Sequence, residues 1–236
     1  MDAPPDRSTA REIIEGVVEA AAGLVPIAGG PMGVALQMAM GWAYNKRMQA
    51  WLQDVAEAIT ELQSTVEGWP LFDQLAEDDV FVDAVIHASR AAQATHQAEK
   101  LRALRNGVLN SLAPDAPDID EQARFFRLID QFTPSHLRLL AFLDDPGATF
   151  DTAGIPRPSI YMGSRASLLP YLPDFAGQPD GWVDLLFSDL SDAALTNQGG
   201  LKVMTSGDAI WQRGTTPFGR RFLAFVTTPD ALGGGR

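Results

Sequence analysis

From Ala20 to Asn45 the chain runs AAAGLVPIAGGPMGVALQMAMGWAYN, 26 residues without a charge, bounded by Glu19 and Lys46. A stretch of this kind has to leave water, in a core, against a second copy or in lipid. Its centre constrains how it can do so. Pro26, Gly29, Gly30 and Pro31 interrupt helical periodicity, because proline lacks an N–H and glycine costs helix propensity, while Pro31 suits the first position of a new helix. The expectation is a helical hairpin over residues 13–44, with limbs at 13–25 and 32–44. Its marked residues are Val25, Pro26, Gly29, Gly30, Pro31, Gly33, Met38, Met40, Trp42 and Tyr44. Neither limb reaches the roughly 20 apolar residues of a spanning helix. Trp42 and Tyr44 followed by Lys46 and Arg47 look like the interfacial end of a membrane segment, whereas Glu15 and Glu19 oppose insertion.

Beyond Tyr44 the pattern becomes that of an amphipathic helix. Met48, Trp51, Leu52, Val55, Ile59, Leu62 and Val66 form one apolar stripe, and Gly68 with Pro70 ends it. Phe81, Val82, Val85 and Ile86, then Leu101, Leu104, Val108, Leu109 and Leu112, place long helices over about 78–112. The turn-rich loop PDAPDID at 114–120 is the expected hinge. Helices are expected next at 121–132 and from Pro134, then an irregular loop at 146–163, then short helices at 164–172 and 181–194. Two short strands in LKVMTSG and DAIWQRGTT, around Ser206 and Gly207, precede a closing helix or strand.

That order predicts a mainly α chain. A disordered lead (1–10) would precede an N-terminal helical bundle with the apolar hairpin (11–113). A small winged-helix-like α+β domain (121–230) and a flexible tail (231–236) would follow the hinge. A net charge of −12 repels phosphate backbones and anionic lipid alike. The absence of cysteine excludes thiolate chemistry, Cys-ligated zinc and disulfides, and suits a reducing compartment. The acidic, proline-bearing start does not read as a signal peptide, so a cytoplasmic location is expected, with the hairpin able to lie on or enter the inner membrane.

Five strings, VPIAGG (25–30), RMQAWLQDVAEAITELQ (47–63), HQAEKLRALRNGVLN (96–110), FTPSHLRLLAFLDDP (132–146) and TTPFGRRFLAF (215–225), resemble a family of hypothetical bacterial proteins. The resemblance covers nearly the whole chain. It implies that the hairpin and the C-terminal module work as one unit, and it carries no activity, substrate or catalytic residue. Ser135 replaces an aromatic usual in such sequences, and Gly214 is a local insertion.

No catalytic constellation emerges from the residues themselves. His87 and His96, nine apart on what reads as one helical stretch, fall about 180° out of phase and cannot share a metal. His136 reads as a polar aid to the Pro134 helix start. The pairs Asp78-Asp79 and Asp144-Asp145, and the group Asp115, Asp118, Asp120 and Glu121, read as helix caps rather than cation ligands. Gly29, Gly30 and Gly33 lack the strand and the Lys-Ser/Thr of a phosphate loop. Ser164, Ser167 and Ser206 lack a nucleophile-elbow context. We therefore expect no enzyme, no cofactor and no metal.

The expected function is that of a bacterial effector or interaction protein, of a kind suited to stress or phage defence. Its hairpin would be a conditionally exposed membrane-inserting or oligomerising element. Its winged-helix module would dock a protein partner, or a second copy, through Asp184, Asp189, Asp192, Arg213, Arg220 and Arg221. The alternatives are a soluble regulatory adaptor with the hairpin in its core, and a DNA-binding regulator. The last is disfavoured because the helix at 181–194 holds three carboxylates and no cation where a recognition helix would face phosphates. Accordingly, the purified protein should give no shifted band with duplex DNA at moderate salt; a salt-sensitive complex would restore the regulator reading.

Overall fold

The computed structural model describes residues 31–179, 181–197 and 201–229, with side chains from residue 41 onward except 43 and 206. The lead, the first hairpin limb (13–25) with Val25, Pro26, Gly29 and Gly30, and the tail lie outside the described residues. The fold is mainly α, as the helical periodicity predicts. It divides between Ile119 and Asp120 into two compact units.

The first unit is built on α1, Pro31–Thr65, a single helix of 35 residues and so about 50 Å long. Its uncharged first part and its amphipathic second part thus lie on one rod. In the second part Met48, Trp51, Leu52, Val55, Ile59 and Leu62 are buried at helical spacing. The hydroxyls of Ser64 and Thr65 turn back to the Glu61 carbonyl in the last turn, and Gly68 follows at φ +80, a left-handed value that suits glycine. A short α2, Phe72–Ala76, then leads to α3, Asp79–Gln93, whose first N–H groups, Val80 and Phe81, are received by the Asp78 carboxylate. A connection at 94–97 turns the chain into α4, Ala98–Asn110. α3 and α4 pack on α1 and on each other through small residues, Ala84, Ala88, Ala91, Ala92 and Ala103, so that the backbones approach closely. Arg105 on α4 reaches Asp54 on α1 at 3.0 Å.

The second unit is centred on rings. α5, Ile119–Gln131, buries Phe125, whose ring lies 5.2 to 5.3 Å from those of Phe218, Phe222 and Phe225 on the closing helix α9, Pro217–Val226. α6, Pro134–Asp144, starts on Thr133 with proline at its first position and buries Leu139, Leu140, Phe142 and Leu143. α7, Pro146–Thr152, is capped by Asp145, which accepts from Ala148 N–H at 2.8 Å. The stretch expected as irregular from 146 onward is therefore helical in its first half, since Asp145-Pro146 is a helix start. After it come a 3-10 turn at Arg165–Tyr171 and α8, Trp182–Asp192.

The expected pairing of 201–207 with 208–216 does not occur. β2, Thr205–Ser206, pairs antiparallel with β1, Met162–Gly163, in the register Met162 to Ser206 and Gly163 to Thr205. Gly207, at φ +50, donates to the Tyr161 carbonyl and turns the chain into a 3-10 segment, Gly207–Trp211, which removes the second strand of a wing. Thr215 instead bridges Thr196. This bridge belongs to a clamp around the start of α9. Thr216 N–H donates to Leu195 O, the Thr216 hydroxyl lies 2.7 Å from Ala194 O and accepts from Gly219 N–H, and Gly214 N–H donates to Leu143 O.

The clamp is possible because residue 219 has no side chain: a Cβ there would stand 2.1 Å from Leu195 O. A backbone carbonyl held by its own hydrogen bond cannot move aside cheaply. Gly219→Ala should therefore cost about 3 kcal/mol in urea unfolding, at the upper end of ordinary overpacking. Gly41→Ala, with open space around it in α1, should be neutral or stabilising by up to about 1 kcal/mol.

Candidate functional site

The structure joins His136 to two other polar groups. At the third position of α6, its Nδ1 accepts from Thr133 N–H at 3.1 Å and lies 2.9 Å from Thr133 Oγ1. Its Nε2 lies 3.1 Å from Asp189 Oδ2 on α8. The backbone amide can only donate, so Nδ1 is the acceptor and Nε2 carries the proton toward the carboxylate. The ring stacks on Phe132 at 4.9 Å with a 15° tilt and is buried. Hydroxyl, imidazole and carboxylate in a row have the composition of a nucleophilic triad. In that role Nδ1 would have to take the hydroxyl proton with a lone pair already directed at the Thr133 amide, so withdrawing it would uncap α6. The arrangement is suited to locking α6 to α8. The sequence places His136 at the helix start and Asp189 on a docking surface, but not the two together, because a partner 53 residues away leaves no local signal.

His87 and His96 do not share a helix: His87 is on α3 and His96 lies in the connection after it. Among the described residues no three of His, Asp and Glu are grouped to hold a metal ion. Two arginines have displaced pKa values. Arg157, with Nε and Nη2 donating to Asp151, is raised by that hydrogen bond. Arg165, which donates to Gln212 O, is lowered by burial. An arginine guanidinium keeps its proton in proteins, so both are cations.

The six residues expected to dock a partner are mostly engaged within the unit. Asp184 pairs with Lys202, Asp189 with His136, Arg213 with Asp144 at 2.9 Å and Arg221 with Glu121 at 2.7 Å. Asp192 and Arg220 are exposed. More conspicuous is apolar surface that the sequence did not mark. Tyr161 is 89 % exposed, and Met162, Val203 and Met204 on the same ribbon are more than half exposed. Leu185, beside the Asp184–Lys202 pair, is exposed as well. Consecutive apolar residues in a strand too short to hide both faces were the available signal.

The first unit has two further features. Along α1, Trp42 is 69 % exposed with Lys46 Nζ 5.2 Å from its ring centre, and Met48 alone is buried among the described side chains of residues 41–50. Farther along, α1, α2 and α3 line an open apolar groove. Leu52, Val55, Ala56 and Ile59 line it from α1, Phe72 and Ala76 from α2, and Phe81, Val82, Val85 and Ile86 from α3. No lining side chain is polar. These positions were legible as a core stripe. What could have marked a groove is the excess of apolar residues on α3, which spread over a wider arc than one neighbour covers.

Comparison with protein families, with curated proteins and with solved structures yields no match to this chain.

The lock at His136 generates a stability prediction. His136→Ala removes a helix cap, a ring stack and a bond to a carboxylate, and should cost about 2 to 4 kcal/mol in denaturant unfolding. His136→Gln, which can still cap from the third helical position, should recover part of this loss.

Proposed function

We propose that the protein is a non-enzymatic interaction protein that associates with a second copy of itself through the apolar hairpin arm at residues 13–44. The observation that carries this reading is the continuity of α1. The uncharged residues 31–45 are held on the same helix that is packed into the first unit, and Trp42 stands in solvent on that helix. Ala35, Ala39 and Ala43 recur at every fourth position, a spacing that lets a second helix approach closely. Self-association covers the arm without asking it to cross a bilayer, and among the described residues no helix is long and apolar enough to do so.

The second unit is the docking module in this proposal. Its winged-helix-like character rests on helix order alone, since no wing hairpin forms among the described residues, and its exposed ribbon side chains join Asp192 and Arg220 as contact groups. Such a layout suits a cytoplasmic effector or adaptor in a bacterial stress or defence response.

Sedimentation of the full chain over a concentration series is the test, with Trp42→Glu alongside. The exposed indole can be replaced without disturbing the monomer core. Wild type should form dimers or larger species, and the variant should dissociate about tenfold more readily or further. A wild-type monomer at every concentration, or an equally associated variant, overturns self-association through the arm. Flotation with anionic vesicles in place of self-association would turn the reading toward a membrane element.

A further inference from the structure

Sulfur is distributed unevenly between core and surface. The chain has seven methionines and no cysteine, so all of its sulfur is thioether. Of the three methionines whose side chains are described, Met48 is 3 % exposed in the first unit, whereas Met162 and Met204 are 61 % and 63 % exposed in the second. Met162 opens β1 opposite Ser206, and Met204 directly precedes β2, at most about 7 Å of chain from that partner. The two thioethers thus share one short ribbon with the exposed Tyr161 and Val203. Methionine is ordinarily useful for filling gaps in cores; at an open position it packs little and leaves its sulfur accessible to oxidants.

The ribbon is held by groups other than these side chains. Gly163 and Thr205 pair across it, Gly207 N–H donates to Tyr161 O at 3.0 Å, and the Thr205 hydroxyl lies 3.5 Å from Gly163 O. Neither thioether takes part, so an oxygen added to either sulfur leaves the fold in place. Met48 differs: it packs in the buried row of α1, and its sulfur meets solvent only when the first unit opens.

We infer that Met162 and Met204 form a reversible oxidation site, at which hydrogen peroxide converts the apolar ribbon into a polar one. A sulfur lone pair attacks one peroxide oxygen, and the S–O bond forms as the O–O bond breaks. The departing hydroxide takes the proton of the transferred oxygen and leaves as water. Sulfur gives up two electrons and the peroxide gains them. The product is a sulfoxide, polar where the thioether was apolar. Reversal requires methionine sulfoxide reductases, one type for each epimer at sulfur. The oxygen then leaves as water while a dithiol is oxidised to a disulfide. This inference uses the exposure of the ribbon alone and is independent of self-association through the arm.

The experiment is a peroxide time course on the full chain, read by tryptic peptide mass mapping and by hydrophobic-interaction chromatography of the intact protein. Trypsin leaves Met48, Met162 and Met204 on three separate peptides. Two variants accompany wild type. Met162→Leu/Met204→Leu stays apolar without sulfur, and Met162→Gln/Met204→Gln carries polarity like that of the sulfoxide. Circular dichroism establishes that each is folded.

Met162 and Met204 should each gain one oxygen at least about tenfold faster than Met48. Wild type should then elute earlier, as the glutamine variant does without peroxide, and return to its first position after treatment with both reductases and dithiothreitol. The leucine variant should shift far less. Oxidation of Met48 as fast as the other two in folded protein overturns the inference, because exposure would not be choosing the site. An equal shift in the leucine variant would place the change on another methionine and overturn it as well. So would an oxidised wild type that the reductases leave unrestored.

Discussion

The second unit depends on the ring of Phe125. It is wholly buried and meets three phenylalanines of α9, so the helix that begins the unit is fixed to the helix that closes it, about 100 residues later. Aromatic pairs at these separations contribute beyond the area they bury. Fixing α9 in turn fixes the clamp at its start, because Thr216 and Gly219 can hold the 194–195 carbonyls only if the helix stands in one position. Phe132, edge-on to Phe222, carries the same packing to His136 and from there to α8. Local capping at each helix start is thus set by ring packing between chain ends.

That dependence explains which parts of the fold could be read from the sequence. Periodicity is local, and it gave α1 beyond residue 47, the helices around 81 and 104, and α5 and α6. Pairings between distant residues are not local. Thr205–Ser206 offers the same two edge residues to any neighbour, and the turn at Gly207 decided against the next strand and for Met162–Gly163. Asp184, Asp189, Arg213 and Arg221 illustrate the same limit for sites. A charge in a sequence reads as available, whereas here each has found a partner between 18 and 100 residues away within its own unit.

Charge and apolar surface are distributed unequally, and this organises the functional reading. In a chain of net charge −12, uncovered apolar surface would ordinarily be diluted by surrounding carboxylates, which keep the molecule soluble. On the first unit α1, α2 and α3 hold an apolar groove with no polar side chain in its lining. On the second unit the exposed Tyr161, Met162, Val203 and Met204 lie near a compensated pair, Asp184 with Lys202.

Because α1 is unbroken, the arm and the groove share one axis. Trp42 and Val55 are 13 residues apart, which is about 20 Å along a helix, while a helix with its side chains is about 10 to 12 Å across. Burial of Met48, Trp51, Val55, Ile59 and Leu62 therefore fixes the axis along which the first part of α1 extends, while Trp42, about 20 Å from the middle of the packed part, is left in solvent.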